Sequence, residues 1–143
     1  KVCDFGLARD LRATRMNTLH MGGTMLYVAP EVHRGQHFDQ GCDTYALAIV
    51  LWEMVTLATP FHDKPEQVLP GIVGWGGERP YMEPVHALRE AKAGSPEGQV
   101  LAEIARLIQG GWAQDQLART SLEEIHNTLS KCTLMLQPAS GHV

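Results

Sequence analysis

The sequence is poor in several things, and each shortage removes a class of function. Three cysteines, Cys3, Cys42 and Cys132, are too few and too scattered for a disulfide framework or a cysteine-based metal site. With no secretory leader they read as reduced thiols, and the expected location is intracellular, in the cytoplasm. Basic runs are missing and the net charge is −4, so neither nucleic acid nor an acidic membrane surface is an expected partner. The longest apolar run, Tyr45 to Trp52, falls far short of the roughly 18 residues that a membrane helix needs. Internal repeats and low-complexity segments are absent as well.

What is there has an ordinary globular make-up, 44% hydrophobic and 20% charged over 143 residues. That length suits one domain, which buries about two thirds of its unfolded surface. The chain opens on Lys1 rather than Met and runs straight into a strand-like Val2-Cys3, so a piece of a longer protein is expected.

Helical signals dominate the rest. Asp39 suits an N-cap, and from Tyr45 to Val55 the following segment is apolar almost all round, the pattern of a buried helix. Lys64 to Trp75 should hold a short or kinked helix because Pro70 interrupts it. Gly74, Gly76 and Gly77 lack the strand and helix that flank a phosphate cradle and read as a plain turn. Val85 to Ala93 suggests a further short helix, broken by Gly94-Ser95-Pro96. Val100, Leu101, Ile104, Leu107 and Ile108 then recur with a helical period. Ser121-Leu122-Glu123-Glu124 is a capping box that opens a last helix, with Leu122, Ile125 and Leu129 on one face. Leu7 to Gly22 is polar, without apolar periodicity, and should be a loop.

Two short motifs bracket that loop: Asp4-Phe5-Gly6 before it and Gly23-Thr24-Met25-Leu26-Tyr27-Val28-Ala29-Pro30-Glu31 after it. The pair resembles the activation segment of a eukaryotic protein kinase. Further motifs follow in that family's order: Cys42-Asp43-x-Tyr45 with Ile49-Val50-Leu51-Trp52-Glu53, then Thr59-Pro60-Phe61, Arg79-Pro80 and Leu107-Ile108-x-x-x-Trp112-x-x-Asp115-x-x-x-Arg119. The resemblance implies a kinase-like α+β fold, of which this stretch is the mostly α C-terminal lobe around one buried central helix. It implies a partial kinase domain over residues 1–136 and a tail over 137–143. The closest flavour is the tyrosine-kinase-like serine/threonine group, such as the mixed-lineage kinases and kinase-kinase-kinases.

The resemblance also assigns roles. Asp4 would bind the Mg2+ that bridges the ATP phosphates, a task for a hard anionic oxygen. Cys3, Phe5 and Gly6 would lie beside the nucleotide, with Cys3 read first as a small buried hydrophobe and second as a reactive thiol. Thr14 and Thr18 are candidates for phosphorylation by an upstream kinase, pairing with Arg9, Arg12 or Arg15; the alternative is that they only solvate the loop. Thr24 would steady the catalytic aspartate beside a serine or threonine acceptor of a protein substrate, or else serve as a turn residue. Glu31 would pair with a buried Arg119, and Asp43 would be a buried charge held by backbone donors of the catalytic loop.

Departures from the family pattern are visible too. Alanines stand at 46 and 48 where serine and glycine are common, and Gly111 replaces a cysteine, Gln116 and Thr120 prolines. The Tyr81–Gly98 stretch is longer than usual by about half a dozen residues, as surface loops tolerate. The Gly-rich loop, the strand lysine and the His-Arg-Asp loop are not in this sequence. Phosphoryl transfer needs them to position its reactants, so the 143 residues alone are expected to be inactive while the parent enzyme transfers the ATP γ-phosphate. The competing reading is a pseudokinase or truncated fragment that acts as a protein-binding scaffold.

Overall fold

A computed structural model describes residues 24–137. The chain runs through α1 (Pro30–His33), α2 (Gly41–Thr56), α3 (Glu83–Ala91), α4 (Pro96–Gly111) and α5 (Leu122–Met135), and no β-strand occurs among the described residues. The mostly helical lobe expected from the sequence is therefore what the described residues form.

Helix α2 is the centre. Tyr45, Ala48, Ile49 and Trp52 follow one another at helical spacing and are buried against α3 and α4. The helix begins at Gly41 rather than Asp39, yet Asp39 still works at its start: its Oδ1 accepts the Gly41 N–H at 2.7 Å. At the other end Leu57 takes a left-handed conformation (φ 54°), and its N–H closes on the Glu53 carbonyl at 2.7 Å. One stripe of this helix is left open among the described residues. Met54 is 68% exposed and Leu57 90%, and Val50 lies in the same outward stripe.

Helix α4 starts where Ser95 Oγ accepts the Gly98 N–H at 3.2 Å, with Pro96 in the first turn where its missing N–H costs nothing. It crosses α2 closely. A Cβ on Gly111 would lie 2.8 Å from the Ala48 Cβ, so the methyl at 48 occupies the space that a side chain at 111 would need. These two departures from the family pattern fit one another.

The capping box of α5 is formed in one direction only. Ser121 Oγ accepts the Glu124 N–H at 3.1 Å, but the Glu124 carboxylate turns to Arg106 Nη1 at 2.8 Å. Ile125 and Cys132 are buried with Leu129 partly so, whereas Leu122, on the same face but at the first position of the helix, is exposed. The Lys64–Trp75 helix is reduced to a 3-10 turn at Glu66–Val68 and a π-helical stretch at Pro70–Trp75. Pro70 opens that stretch instead of kinking a longer one, because it has no N–H to join to the preceding turn. Gly74 within it lets α1 approach: a Cβ there would stand 3.1 Å from the His33 Cβ.

Candidate functional site

The segment from Thr24 to Glu31 is the part of the motif pair that the structure describes. Thr24 precedes a single 3-10 turn, Met25–Tyr27, and its carbonyl accepts the Tyr27 N–H at 3.4 Å. The Thr24 side chain is exposed and makes no capping bond. Tyr27 ties the turn to α2, its hydroxyl donating to Glu53 Oε2 at 2.8 Å. Burial, then the hydrogen bond and charge of Glu53, raise the Tyr27 pKa, so the hydroxyl stays a donor at neutral pH.

Ala29 and Pro30 set the chain into α1, whose first turn carries Glu31. Both carboxylate oxygens of Glu31 face Arg119: Nη1 donates to Oε1 at 2.7 Å and Nη2 to Oε2 at 2.6 Å. The two side chains are each only 2% exposed. Arg119 also donates from Nη1 to the Gly41 carbonyl at 2.8 Å and from Nε to the Ala113 carbonyl at 3.0 Å. Its guanidinium lies 5.3 Å from the centroid of the Tyr45 ring, with Arg79 5.0 Å from the same centroid. One bidentate pair thus joins α1, the start of α2 and the segment after α4. Removing one partner would strand a charge in the core at a cost of about 3–5 kcal/mol.

The Tyr45 phenol, with both guanidiniums near its ring, is pushed up to about 12, first by burial, which their charges offset in part. Cys42 is pushed up to about 11, first by burial and then by the Asp43 and Glu31 charges, so it stays a thiol and is no nucleophile at neutral pH.

Asp43, expected to be buried by donors of a catalytic loop that this sequence does not contain, is exposed among the described residues. A carboxylate leaves water only for donors that replace its hydration. Among the described residues its side chain meets only the Cys42 Sγ, at 4.0 Å. Cys3, Asp4, Phe5, Gly6, Thr14 and Thr18 lie outside the described residues. Among the described residues no group of three or more His, Cys, Asp or Glu side chains could hold a metal ion, and no helix is long and apolar enough to cross a membrane.

The sequence reading placed Glu31 with Arg119, and the structure brings them together across 88 positions. It missed the Tyr27–Glu53 bond, the approach of Arg79 and Arg119 to the Tyr45 ring and the fit of Ala48 to Gly111. A polar Glu53 inside an otherwise apolar helix was the available signal for the first. For the other two, spacing offers none.

The family model described as protein kinase domain matches residues 1–129. A Dictyostelium discoideum protein named probable LIM domain-containing serine/threonine-protein kinase is 34% identical over 131 residues, which is 92% of this chain and 18% of the relative. An Arabidopsis thaliana probable serine/threonine-protein kinase is 30% identical over 145 residues, 99% of this chain and 12% of that protein. A dual specificity protein kinase of Dictyostelium discoideum is 32% identical over 132 residues, 90% of this chain and 23% of its own length. The chain thus spans less than a quarter of each of these relatives.

Proposed function

This chain belongs to the protein kinase domain family, and from that premise we propose that it is the activation segment and C-terminal lobe of a protein serine/threonine kinase. In this reading residues 1–136 are a partial kinase domain and 137–143 a tail. The parent enzyme transfers the γ-phosphate of ATP to a hydroxyl of a protein substrate. The observation that carries the reading is the bidentate Glu31–Arg119 pair, which fastens the end of the segment to the helical core. A positioning reaction needs its substrate-facing loop held by a rigid scaffold.

Roles follow residue by residue. Thr24, exposed ahead of the Tyr27 anchor, is assigned to the acceptor side, favouring serine and threonine, on its match to the family motif. Asp4 is assigned Mg2+ on its donor chemistry, a hard carboxylate oxygen, with Cys3, Phe5 and Gly6 beside the nucleotide. Bound Mg-ATP supplies the phosphoryl group and neutralises its charge. Asp43 takes its hydrogen bonds from a catalytic loop beyond this chain, which its solvent-facing position leaves room for. Thr14 and Thr18 receive phosphate from an upstream kinase. Cys42-Asp43-x-Tyr45 and Ile49 to Glu53 support the tyrosine-kinase-like group as the subfamily. Unpaired thiols at Cys42 and Cys132 support a reducing, cytoplasmic location.

The scaffold reading drew on departures such as Ala48, and that departure is matched by Gly111. The test is transfer of labelled phosphate from ATP to serine- and threonine-containing peptides by the full-length protein. Activity that disappears in Asp4→Asn is expected. Failure of the full-length protein to transfer phosphate to any serine or threonine peptide overturns the enzyme reading.

A further inference from the structure

On the kinase reading above, we propose that Gln114 is a positioning residue for the acceptor side. It holds the π-helical stretch Pro70–Trp75 against α1 and so fixes how a protein substrate is presented. The reason lies in an unfinished helix end. The stretch closes its Gly71 and Ile72 carbonyls on the N–H groups of Gly76 and Glu78, at 2.9 and 2.8 Å. The next two carbonyls belong to the buried Val73 and Gly74 and take donors from distant side chains. Gly74 receives Gln114 Nε2 at 2.8 Å and Arg34 Nη1 at 2.7 Å. Val73 receives Gln114 Nε2 at 3.4 Å. Carbonyls left over at a helix end need partners of this kind once they are out of water.

Both donors bear on the segment that leads into α1. Arg34 ends α1, the helix whose first turn carries Glu31. That helix is therefore fastened twice, at Glu31 to Arg119 and at Arg34 to the Gly74 carbonyl. Gln114 holds the second fastening in place from the far side. Its Oε1 accepts Arg79 Nη2 at 2.7 Å, and Arg79 donates further to the Trp112 and Glu78 carbonyls at 2.7 Å each. Position 114 thus needs a donor and an acceptor on one side-chain tip. An amide supplies both, and a carboxylate supplies only the acceptor. Without the amide donor, α1 keeps the Glu31 fastening alone, and the Thr24–Ala29 stretch before it gains freedom to pivot.

The test uses full-length protein and the serine or threonine peptide that the parent phosphorylates fastest. Gln114→Glu keeps the acceptor for Arg79 but turns an oxygen on the two carbonyls, so the fold is spared while the clamp is lost. Its KM for the peptide should rise about three- to tenfold, the loss of one or two part-buried hydrogen bonds, with KM for ATP unchanged. Arg34→Ala should act in the same direction, and Arg34→Lys, which keeps a donor, should recover most of the loss. Arg106→Ala breaks bonds to Glu103 and Glu124 on α4 and α5 and should leave the peptide KM as it is. Hydrogen exchange gives a readout free of activity: the His33 and Arg34 amides should exchange at least about threefold faster in Gln114→Glu, with α5 unaltered. An unchanged peptide KM in Gln114→Glu, an equal rise for ATP, or unchanged exchange overturns the proposal while the kinase reading stands. A parent that transfers no phosphate defeats that reading and takes the positioning role with it.

Discussion

The two faces of α2 are built from similar residues and live in different surroundings. One face, Tyr45, Ala48, Ile49 and Trp52, is sealed under α3, α4 and the Arg79 and Arg119 guanidiniums. The other, Asp43, Val50, Met54 and Leu57, with Leu47 partly buried among them, is just as regular in spacing and faces water. Apolar composition marks surface that some partner has to cover, but it does not say which partner is at hand. Within the kinase reading, the open face is the seat of the catalytic loop and the helices that precede this chain.

The sealed face should break most readily at Arg119. Arg119→Ala leaves the Glu31 carboxylate buried without its fork, and a loss of about 3–5 kcal/mol is expected, read as a large drop in Tm. An unchanged Tm would remove the pair from its anchoring role. Next comes the helix crossing. Gly111→Ala places a methyl against Ala48 and should cost about 1–3 kcal/mol, and adding Ala48→Gly should recover much of it. Additive losses in the double variant would show that the two positions do not share that space.

A smaller effect is expected at the link between the candidate site and α2. Tyr27→Phe removes a hydrogen bond to a charged acceptor and should cost about 1.5–3 kcal/mol at most, less here because Tyr27 is only partly buried. Smaller still is a pH effect. Burial lowers the His33 pKa, so the unfolded chain binds more protons than the folded one around pH 6. Stability contributed by His33 is present above its ordinary pKa of about 6.5 and is lost as the pH falls further. Denaturant midpoints between pH 7 and 5 should fall less steeply in His33→Gln than in the parent.

Much of the fold was legible because its signals are local. Ser121 caps the helix it precedes, and Val100, Leu107 and Ile108 mark the buried side of α4 by spacing alone. The Pro70 disruption was visible for the same reason, although its form, a π-helical stretch, was not. The site was less legible. Glu31 and Arg119 are 88 positions apart, and only the resemblance to kinases joined them. The burial expected of Asp43 depends on donors that none of the described residues supply. Leu122 shares the face of Ile125 and Leu129 by spacing, yet as the first residue of α5 it stays exposed, and periodicity does not say how far along the helix the packing reaches.

The central claim is that the open face of α2 is a seat for other parts of a kinase domain. Its most direct test is sedimentation of the 143-residue chain over a range of concentrations, beside Met54→Gln and Leu57→Gln variants. Exposed apolar surface of this kind favours association. The parent chain should therefore self-associate as its concentration rises, and the variants should do so less. A parent chain that stays monomeric throughout and melts in one sharp transition would contradict the account.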